Sequence, residues 1–188
     1  MFFKRFLGLL LSSLLLACEP KPQQDQRLED YKSVLADHQA LIRLEIAGDT
    51  FYANECIFKG SISLSNGTMA INLKNQFDGQ TIVSLKMPDR LKDFPWEITF
   101  DERKGAQTQV LIGKIIETNP LKGLGYVMTS GSLTVKQMDP EYFHMDLHGK
   151  GVKYGVDLLL EQPVEIKGTI VYKSPHVSFD HMSWSDLQ

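Results

Sequence analysis

The sequence predicts an all-β domain of about 10–12 antiparallel strands, preceded by one short helix. Apolar and polar residues alternate with period two from Leu41 onward, which is typical of strands that bury one face. Turn residues interrupt this alternation at short intervals. No long helical segment lies between the strands, although a parallel sheet would require crossover helices. The pattern therefore favours a two-sheet β-sandwich or a strongly curved, barrel-like sheet that closes on itself.

A helical pattern from Gln26 to His38 precedes the strands. The segment contains helix formers and no proline or glycine, and Asp25 is placed to cap its start. Its apolar residues recur at helical spacing, and they are Leu28, Tyr31, Val34 and Leu35. Because this stripe is much shorter than the several heptads of a coiled coil, we expect the helix to pack on the domain. A stalk that pairs with a partner helix is the alternative.

The N-terminal half of the domain contains five alternating segments separated by turn signals. Their apolar members are Ile42, Leu44 and Ile46; Ile62 and Leu64; Met69, Ile71 and Leu73; Val83 and Leu85; and Trp96, Ile98 and Phe100. Asn66-Gly67 between the second and third segments is the strongest short hairpin signal. Asp78-Gly79 precedes the fourth segment, and residues 101–105 form the turn after the fifth. The run from Val110 to Ile116 is more continuously apolar than the other segments, so the sequence does not assign which of its side chains face the core.

The C-terminal half repeats the alternation. Its apolar members are Val127, Leu133 and Val135; Phe143, Met145 and Leu147; Val152, Tyr154, Val156, Leu158 and Leu160; Val164, Ile166, Ile170 and Tyr172; and Val177 and Phe179. Gly149-Lys150-Gly151 is predicted to form a tight turn between the second and third of these segments. Residues 122–126 contain two glycines but lack the third glycine and the following helix of a dinucleotide fingerprint. They are predicted to form a hinge or irregular loop.

Three strand segments resemble one another in sequence. Gly60-Ser61-Ile62-Ser63-Leu64 is similar to Gly131-Ser132-Leu133-Thr134-Val135, and Gly168-Thr169-Ile170-Val171-Tyr172 is a third variant. We interpret the likeness as the ordinary similarity of hairpin strands, with a duplicated meander as the alternative.

The first 18 residues have the form of a secretory signal. Lys4 and Arg5 precede a short apolar segment with a small residue at its end, and that segment is too short to span a bilayer. It ends in Leu15-Leu16-Ala17-Cys18, which resembles the lipobox of bacterial lipoproteins. The resemblance covers residues 1–18 alone. It implies a signal peptide over 1–17 and a lipid on the sulfur and amine of Cys18.

The mature chain is predicted to contain one domain. Residues 18–27 comprise the lipidated cysteine and a polar tether with two prolines, which reads as an extended linker. Residues 28–188 form a single β domain with its short helix. The whole chain has a formal net charge of −3, and removal of Lys4 and Arg5 makes it more acidic. This charge argues against nucleic acid as a partner and against electrostatic adhesion to anionic lipid.

The sequence assigns no catalytic residue, cofactor or metal site. It contains no Gly-x-Ser-x-Gly elbow, the motif that holds the nucleophilic serine in many hydrolases. Cys56 lies an even number of residues from Phe58 and Ile62, so a strand would place all three side chains on the same apolar face. This predicts a buried structural thiol. His144 and His148 share one strand face with Asp146 but lie about 13 Å apart, whereas zinc sites use three or four protein ligands. We therefore expect these three side chains to face solvent, with Phe143, Met145 and Leu147 facing the core.

The leading hypothesis is a non-catalytic envelope lipoprotein whose β domain binds a protein partner of an envelope assembly. A carrier of a small apolar ligand is the first alternative, and a densely filled interior would argue against it. An envelope enzyme is the second alternative. Glu19 is not the aspartate associated with inner-membrane retention in lipoproteins, so the resemblance favours the outer membrane. Long loops on β scaffolds often bind partners, and the candidate interaction residues are Pro88, Asp89, Arg90, Asn119, Pro120, Leu121 and Lys122.

Overall fold

The computed structural model describes residues 23–105, 107–154 and 162–187, and the structural statements below refer to these residues. The signal peptide, Cys18 and the predicted strand residues Val156, Leu158 and Leu160 lie outside them. The elements in chain order are α1 (Gln23–Val34), β1 (Gln39–Ile46), β2 (Asp49–Thr50), β3 (Phe58–Ser65), β4 (Thr68–Asn75), β5 (Gln80–Lys86), β6 (Trp96–Asp101), a 3₁₀ helix (Glu102–Lys104), β7 (Gln109–Thr118), β8 (Leu121–Met138), β9 (Tyr142–Lys153), β10 (Val164–Lys173), β11 (Val177–Phe179) and a second 3₁₀ helix (Trp184–Asp186).

Eight of the strands close into an antiparallel barrel. Their order around the ring is β3-β4-β5-β7-β8-β9-β10-β1, and the pairing of Ala40 with Phe58 joins β1 back to β3. The remaining strands extend this sheet, because β2 pairs with β1, β6 pairs with β8, and β11 lies parallel to β3. The all-β antiparallel prediction is confirmed. Of the two predicted architectures the molecule adopts the closed one, which leaves no edge in the ring itself.

The connections between the strands alternate between two ends of the barrel, since neighbouring strands are antiparallel. The upper end carries the connections at residues 66–67, 87–95, 139–141 and 174–176. The lower end carries those at residues 47–48, 76–79 and 119–120. The two sets of predicted interaction residues therefore lie at opposite ends of the molecule.

Side chains fill the interior as one continuous hydrophobic cluster. The largest fully buried members are Trp96, Tyr172, Phe58 and Phe143. Trp96 closes the upper end, where Phe94 stacks on it at 4.7 Å and its indole nitrogen donates to the Leu91 carbonyl oxygen at 3.1 Å. The predicted alternation is confirmed in β4, where Met69, Ile71 and Leu73 are fully buried.

The segment between β2 and β3 closes the lower end. Phe51 and Tyr52 are buried, and their rings meet edge to face at 4.9 Å. The Tyr52 hydroxyl donates to the Gln80 carbonyl oxygen at 2.7 Å and lies 3.0 Å from the Thr81 hydroxyl. Burial raises the pKa of Tyr52 to about 12, so the phenol keeps its proton and remains a donor. This segment therefore acts as a fixed plug.

Helix α1 packs on the outside of the barrel, as predicted, over Leu41 and Val171. It begins at Gln23, so it includes Asp25 and part of the segment predicted as tether. Leu35 is buried, but Val34 is 65% exposed and is wrongly included in the predicted packed stripe. Among the described helices, none has the length and apolar composition needed to cross a membrane.

The structure corrects two predicted breaks in the sheet. Gly149-Lys150-Gly151 is not a turn, because β9 continues through it to Lys153. Residues 122–126 are not a loop, because they belong to β8 and pair with β7. Glycine serves here to let neighbouring backbones approach closely within a curved sheet rather than to end a strand. A Cβ atom on Gly149 would overlap the Ser130 carbonyl oxygen.

Bulges in β8 explain why Val127 is not part of the core. The pairing of β8 with β9 shifts register between Met128 and Ser130 and again between Val135 and Gln137. Each extra residue reverses which face of the sheet the following side chains occupy. Met128 is therefore buried on the same side as Leu133, while Val127 is only partly buried on the other side. The prediction that Val127 faces the core together with Leu133 and Val135 is therefore wrong.

Candidate functional site

A cleft of about 470 Å³ opens at the upper end of the barrel. Three segments that are distant in sequence form its walls: the tip of the β3–β4 hairpin, the start of the loop between β5 and β6, and the C-terminal segment. Residues that line it include Asn66, Lys86, Pro88, Asp89, Asp180 and His181. We call this site the upper cleft.

The loop side of the upper cleft is held by its first and last residues. The Met87 amide donates to the Gly67 carbonyl oxygen at 2.7 Å, and the Met87 side chain is buried. At the other end, the Trp96 indole is bonded to the Leu91 carbonyl oxygen. The chain between these anchors projects from the barrel, with Pro88 half-buried and Asp89 exposed. A short loop fixed at both ends presents its side chains in a defined position.

The C-terminal side of the upper cleft is positioned by β11. This strand pairs with β3, and the Asp180 amide donates to the Leu64 carbonyl oxygen at 2.9 Å. The Ser65 hydroxyl donates to the Asp180 carboxylate at 2.7 Å, which fixes that carboxylate at the rim. The following 3₁₀ helix is closed by the Ser183 amide, which donates to the Asp186 carboxylate at 2.7 Å.

The upper cleft combines charged and apolar groups. The imidazole of His181 lies 3.4 Å from the Asp180 carboxylate. Lys86 and Asp89 add charges of opposite sign, while Leu91 and Met182 contribute apolar surface. Within the part of the chain that the structure describes, no group of three histidine, cysteine or acidic side chains is arranged to hold a metal ion. The site therefore offers ion pairing, hydrogen bonding and apolar contact.

The predicted interaction residues are only partly brought together. Pro88 and Asp89 line the upper cleft, whereas Arg90 is not among its lining residues and its guanidinium lies 3.9 Å from the Asp93 carboxylate. The other predicted interaction residues, from Asn119 to Lys122, lie at the lower end. Asn119 and Pro120 form a short turn, and Leu121 and Lys122 already belong to β8. The irregular loop predicted over residues 122–126 is wrong, because β7 extends to Thr118 and β8 begins at Leu121, which leaves a turn of two residues between them.

In the Phe143–Leu147 segment the structure confirms which side chains face the core, but the predicted solvent exposure of the polar side chains on the opposite face is partly wrong. Phe143, Met145 and Leu147 are buried, and His148 is exposed. His144 is only 7% exposed. Its neighbour across the sheet is Val171, on the outer face that α1 covers. A residue that alternation alone places in solvent therefore lies beside the outer patch that α1 covers, and it is buried there.

Asp146 is the centre of a polar cluster beside His144. The Thr169 hydroxyl donates to the Asp146 carboxylate at 2.7 Å, the His144 Nε2 atom lies 3.4 Å from it, and Lys136 forms an ion pair with it. Burial by itself raises the pKa of Asp146. The hydrogen bonds from His144, Lys136 and Thr169 outweigh that effect and hold the pKa well below its usual range.

This cluster does not have the geometry of a catalytic triad. A triad histidine contacts the nucleophile through one ring nitrogen and the carboxylate through the other. In this protein the same atom, Nε2 of His144, lies 3.2 Å from the Thr169 hydroxyl and 3.4 Å from Asp146. Sequence reasoning missed Lys136 and Thr169, because their proximity depends on the register of β8 and β10 against β9.

Cys56 is buried, as predicted, with 3% of its surface exposed. It lies in the segment that closes the lower end, directly before β3, and its amide donates to the Ala53 carbonyl oxygen at 3.1 Å. Burial raises the pKa of its thiol. Because the thiolate is the reactive form, this position suits packing rather than nucleophilic chemistry.

The barrel architecture does not identify a function, since closed antiparallel barrels support many unrelated activities. Any functional conclusion must therefore come from the sites themselves. Comparison of the chain with protein-family models, with curated proteins and with solved structures found no match.

Proposed function

We propose that this chain is a lipid-anchored envelope lipoprotein whose barrel binds a protein partner through the upper cleft and catalyses no reaction. The anchor is inferred from the lipobox at Cys18, and Glu19 favours the outer membrane. The observation that carries the binding proposal is the upper cleft itself, which three distant segments form on a rigid scaffold. Two of the loop residues selected from the sequence, Pro88 and Asp89, line it.

The composition of the upper cleft favours a protein partner. Interfaces between proteins combine an apolar centre with a polar, charged rim. Here Leu91 and Met182 supply apolar surface, and Lys86 and Asp89 supply exposed charges of both signs. Methionine adapts readily to the shape of a bound surface. Such a site recognises a folded protein surface or a peptide better than it recognises a small molecule.

The polar groups of the upper cleft support binding more than catalysis. The Asp180 carboxylate is engaged by Ser65, and the Asp186 carboxylate is engaged by the Ser183 amide and hydroxyl. A general acid or base must be free to reach substrate. These carboxylates instead hold the walls of the cleft in place.

The filled interior argues against a carrier that holds its ligand inside the barrel. Sites for small apolar ligands are cavities of about 300–1,000 Å³ lined by apolar side chains. The side chains of this barrel form one continuous buried cluster. Trp96 closes one end, and the plug with Tyr52 closes the other. An apolar ligand would have to displace core side chains to enter.

Site-specific crosslinking in intact cells tests the proposal. A photoreactive amino acid is placed at Asp89, and the matched control is placed at Lys59, which is exposed on the barrel wall. We expect a discrete adduct from position 89 and none from position 59. Lys86→Glu should weaken the adduct about fivefold, because rim charges steer association. Lys59→Glu should leave it unchanged.

The anchor is tested in the same cells. Cys18→Ala should abolish labelling by a fatty-acid analogue and release the protein from the membrane fraction, since lipidation supplies the membrane affinity. In the crosslinking experiment, adducts of equal strength from positions 89 and 59, or no adduct from position 89, would contradict the binding site. A native protein that stays in the membrane without the label would contradict the lipid anchor.

A further inference from the structure

We propose that the protein partner of the upper cleft binds through an extended segment, which pairs as an additional strand with the free side of β6. The inference rests on the proposed function and specifies the conformation in which the partner is recognised. The side of β6 (Trp96–Asp101) that faces away from β8 makes this contact with its backbone groups. We call it the β6 edge.

The β6 edge has no strand partner in the described part of the chain. β6 pairs with β8 over its whole length and with no other described strand. In an antiparallel pair, alternate residues direct their N–H and C=O groups toward the partner strand, and the residues between them direct these groups away from it. Outside the ladder with β8, the hydrogen bonds that described residues make with β6 involve the side chains of Trp96 and Asp101 and not the backbone. The backbone groups at the β6 edge therefore remain open to a further strand.

The β6 edge lies on the side of the sheet where the upper cleft opens. β6 and β7 pair with successive stretches of β8 on the side opposite to β9. β5 covers the free side of β7 only as far as the pair of Ser84 with Gln109. Beyond that pair, Lys86 and Gln107 both line the upper cleft. The β6 edge and the upper cleft therefore lie on the same side of β8, past the point where β5 and β7 separate.

A second cleft runs along the β6 edge and gives access to it. Its volume is about 340 Å³, and its walls include Thr99, Phe100 and Asp101, together with Lys104 of the first 3₁₀ helix. Consecutive side chains of a strand project to opposite faces of the sheet. A cleft that touches three consecutive residues therefore lies along the edge of the strand rather than on one face. An added strand, at a spacing of about 4.8 Å from β6, would occupy this space.

Unpaired backbone groups at a strand edge select an extended chain. Such a chain offers N–H and C=O groups at the spacing that the edge requires, and main-chain hydrogen bonds supply the affinity in this mode of recognition. A partner surface without a free strand cannot satisfy these groups. β6 is short and carries an exposed charge at Glu97, which limits indiscriminate edge pairing without covering the edge.

Glu97 selects a basic side chain on the partner and argues against a second copy of this chain. Its side chain is exposed, and its neighbour across β8, Thr134, is uncharged. Opposite charges on adjacent strands stabilise the pair, and like charges destabilise it. An antiparallel pair of two β6 edges with aligned faces would bring Glu97 of one copy close to Glu97 or Asp101 of the other. The segment that we propose therefore comes from a different protein and carries a basic residue opposite Glu97.

Site-specific crosslinking in intact cells tests the position of the segment. A photoreactive amino acid is placed at Thr99, and the matched control is placed at Asn72, an exposed residue of β4 that has strands on both sides. We expect an adduct from position 99 with the same mass as the adduct from position 89, and none from position 72. Glu97→Lys should weaken the adduct from position 89 about fivefold, because it places like charges on adjacent strands. Asn72→Lys should leave it unchanged.

Amide hydrogen exchange tests the pairing itself. The adduct formed at position 89 is purified and compared with the free protein at single-residue resolution. Exchange should be slower by about tenfold or more at alternate residues of β6, because their amides gain hydrogen bonds in the complex. The amides of β4 already pair with β3 and β5, and their exchange should not change.

The outcomes separate this inference from the proposed function. An adduct from position 89 with unchanged exchange in β6 and no adduct from position 99 would overturn the strand pairing and leave the proposed binding site intact. The absence of adducts from both positions would contradict the proposed function and, with it, this inference. An adduct from position 99 with twice the mass of the chain would assign the β6 edge to a second copy and overturn the pairing with a different protein.

Discussion

At the scale of single residues, the side chains of His144, Thr169 and Lys136 form a polar cluster around the Asp146 carboxylate on the barrel wall. Three donors converge on one carboxylate that is about 29% exposed. A carboxylate that accepts several charge-assisted hydrogen bonds is stabilised in its ionised form. The cluster thereby ties β8, β9 and β10 together on the outer face.

The two histidines of this strand should differ in their effect on stability. His144→Ala removes a buried hydrogen-bonded side chain and should lower the free energy of unfolding by about 1–3 kcal/mol. His148→Ala is the matched control, because its side chain is 67% exposed, and it should cost about 0.5 kcal/mol or less. Chemical denaturation of the two variants measures the difference. Equal losses would contradict the burial of His144.

Asp146 should make stability depend on pH in a defined direction. Its pKa is lower in the folded than in the unfolded chain, so its stabilising contribution is complete above about pH 4. That contribution is lost as the pH falls below this value toward the depressed folded pKa. Asp146→Asn should therefore destabilise the protein at pH 7 by about 1–3 kcal/mol and much less at about pH 2. Denaturation curves at both pH values test this, and a pH-independent difference would contradict it.

At the scale of elements, close backbone approach explains the three similar strand segments. A Cβ atom on Gly60 would overlap the Asn72 carbonyl oxygen, one on Gly131 would overlap that of His148, and one on Gly168 would overlap that of Arg43. The curved sheet brings neighbouring strands together at each of these positions. The likeness that the sequence shows is thus accounted for by a common steric requirement of the barrel.

Gly149→Ala should disrupt this packing far more than a matched glycine substitution. Its Cβ atom would overlap the Ser130 carbonyl oxygen and crowd Gly131, and overpacking of this kind costs about 1–3 kcal/mol. A Cβ atom on Gly123 would meet its nearest neighbour, the Lys114 carbonyl oxygen, at 3.8 Å. Gly123→Ala should therefore change stability by about 1 kcal/mol or less. Thermal unfolding of both variants provides the comparison, and similar losses would rule out the steric explanation.

At the scale of the whole molecule, the barrel is a filled scaffold with a distinct surface at each end. Trp96 and the upper cleft occupy one pole, and Tyr52 and the exposed apolar side chains of Phe77 and Leu121 occupy the other. The interior is packed as one cluster of buried side chains. The proposed function assigns the upper pole to a protein partner.

The filled interior predicts that the folded protein takes up no apolar ligand. Titration with a fluorescent fatty acid in the absence of vesicles should give no saturable binding, because entry would require about 2–5 kcal/mol for each large core side chain displaced. Trp96→Ala opens space at the upper end and serves as the variant in which weak uptake is expected. Saturable binding of one ligand per chain by the native protein would support the carrier alternative instead.

Much of the fold and part of the site follow from local patterns. Alternation of apolar and polar residues indicates directly which face of a strand is buried. It therefore predicted the core-facing residues of β4, which are Met69, Ile71 and Leu73, and those of β9, which are Phe143, Met145 and Leu147. The Asn66-Gly67 hairpin was predictable for the same local reason, since both residues take positive φ angles. Of the upper cleft, the sequence indicated Pro88 and Asp89 but not Asp180 or His181, which reach the site only through the pairing of β11 with β3.

The sequence by itself determined the strand content, the inward face of most strands, the outer helix and the burial of Cys56, since each depends on residues close together in the chain. The tertiary structure alone decided the closure of the ring, the bulges in β8 that redirect Val127, and the burial of His144. It also decided which segments meet at the upper cleft. These features depend on the register between distant strands and on layers added from elsewhere in the chain, which a local alternation of apolar and polar residues does not encode.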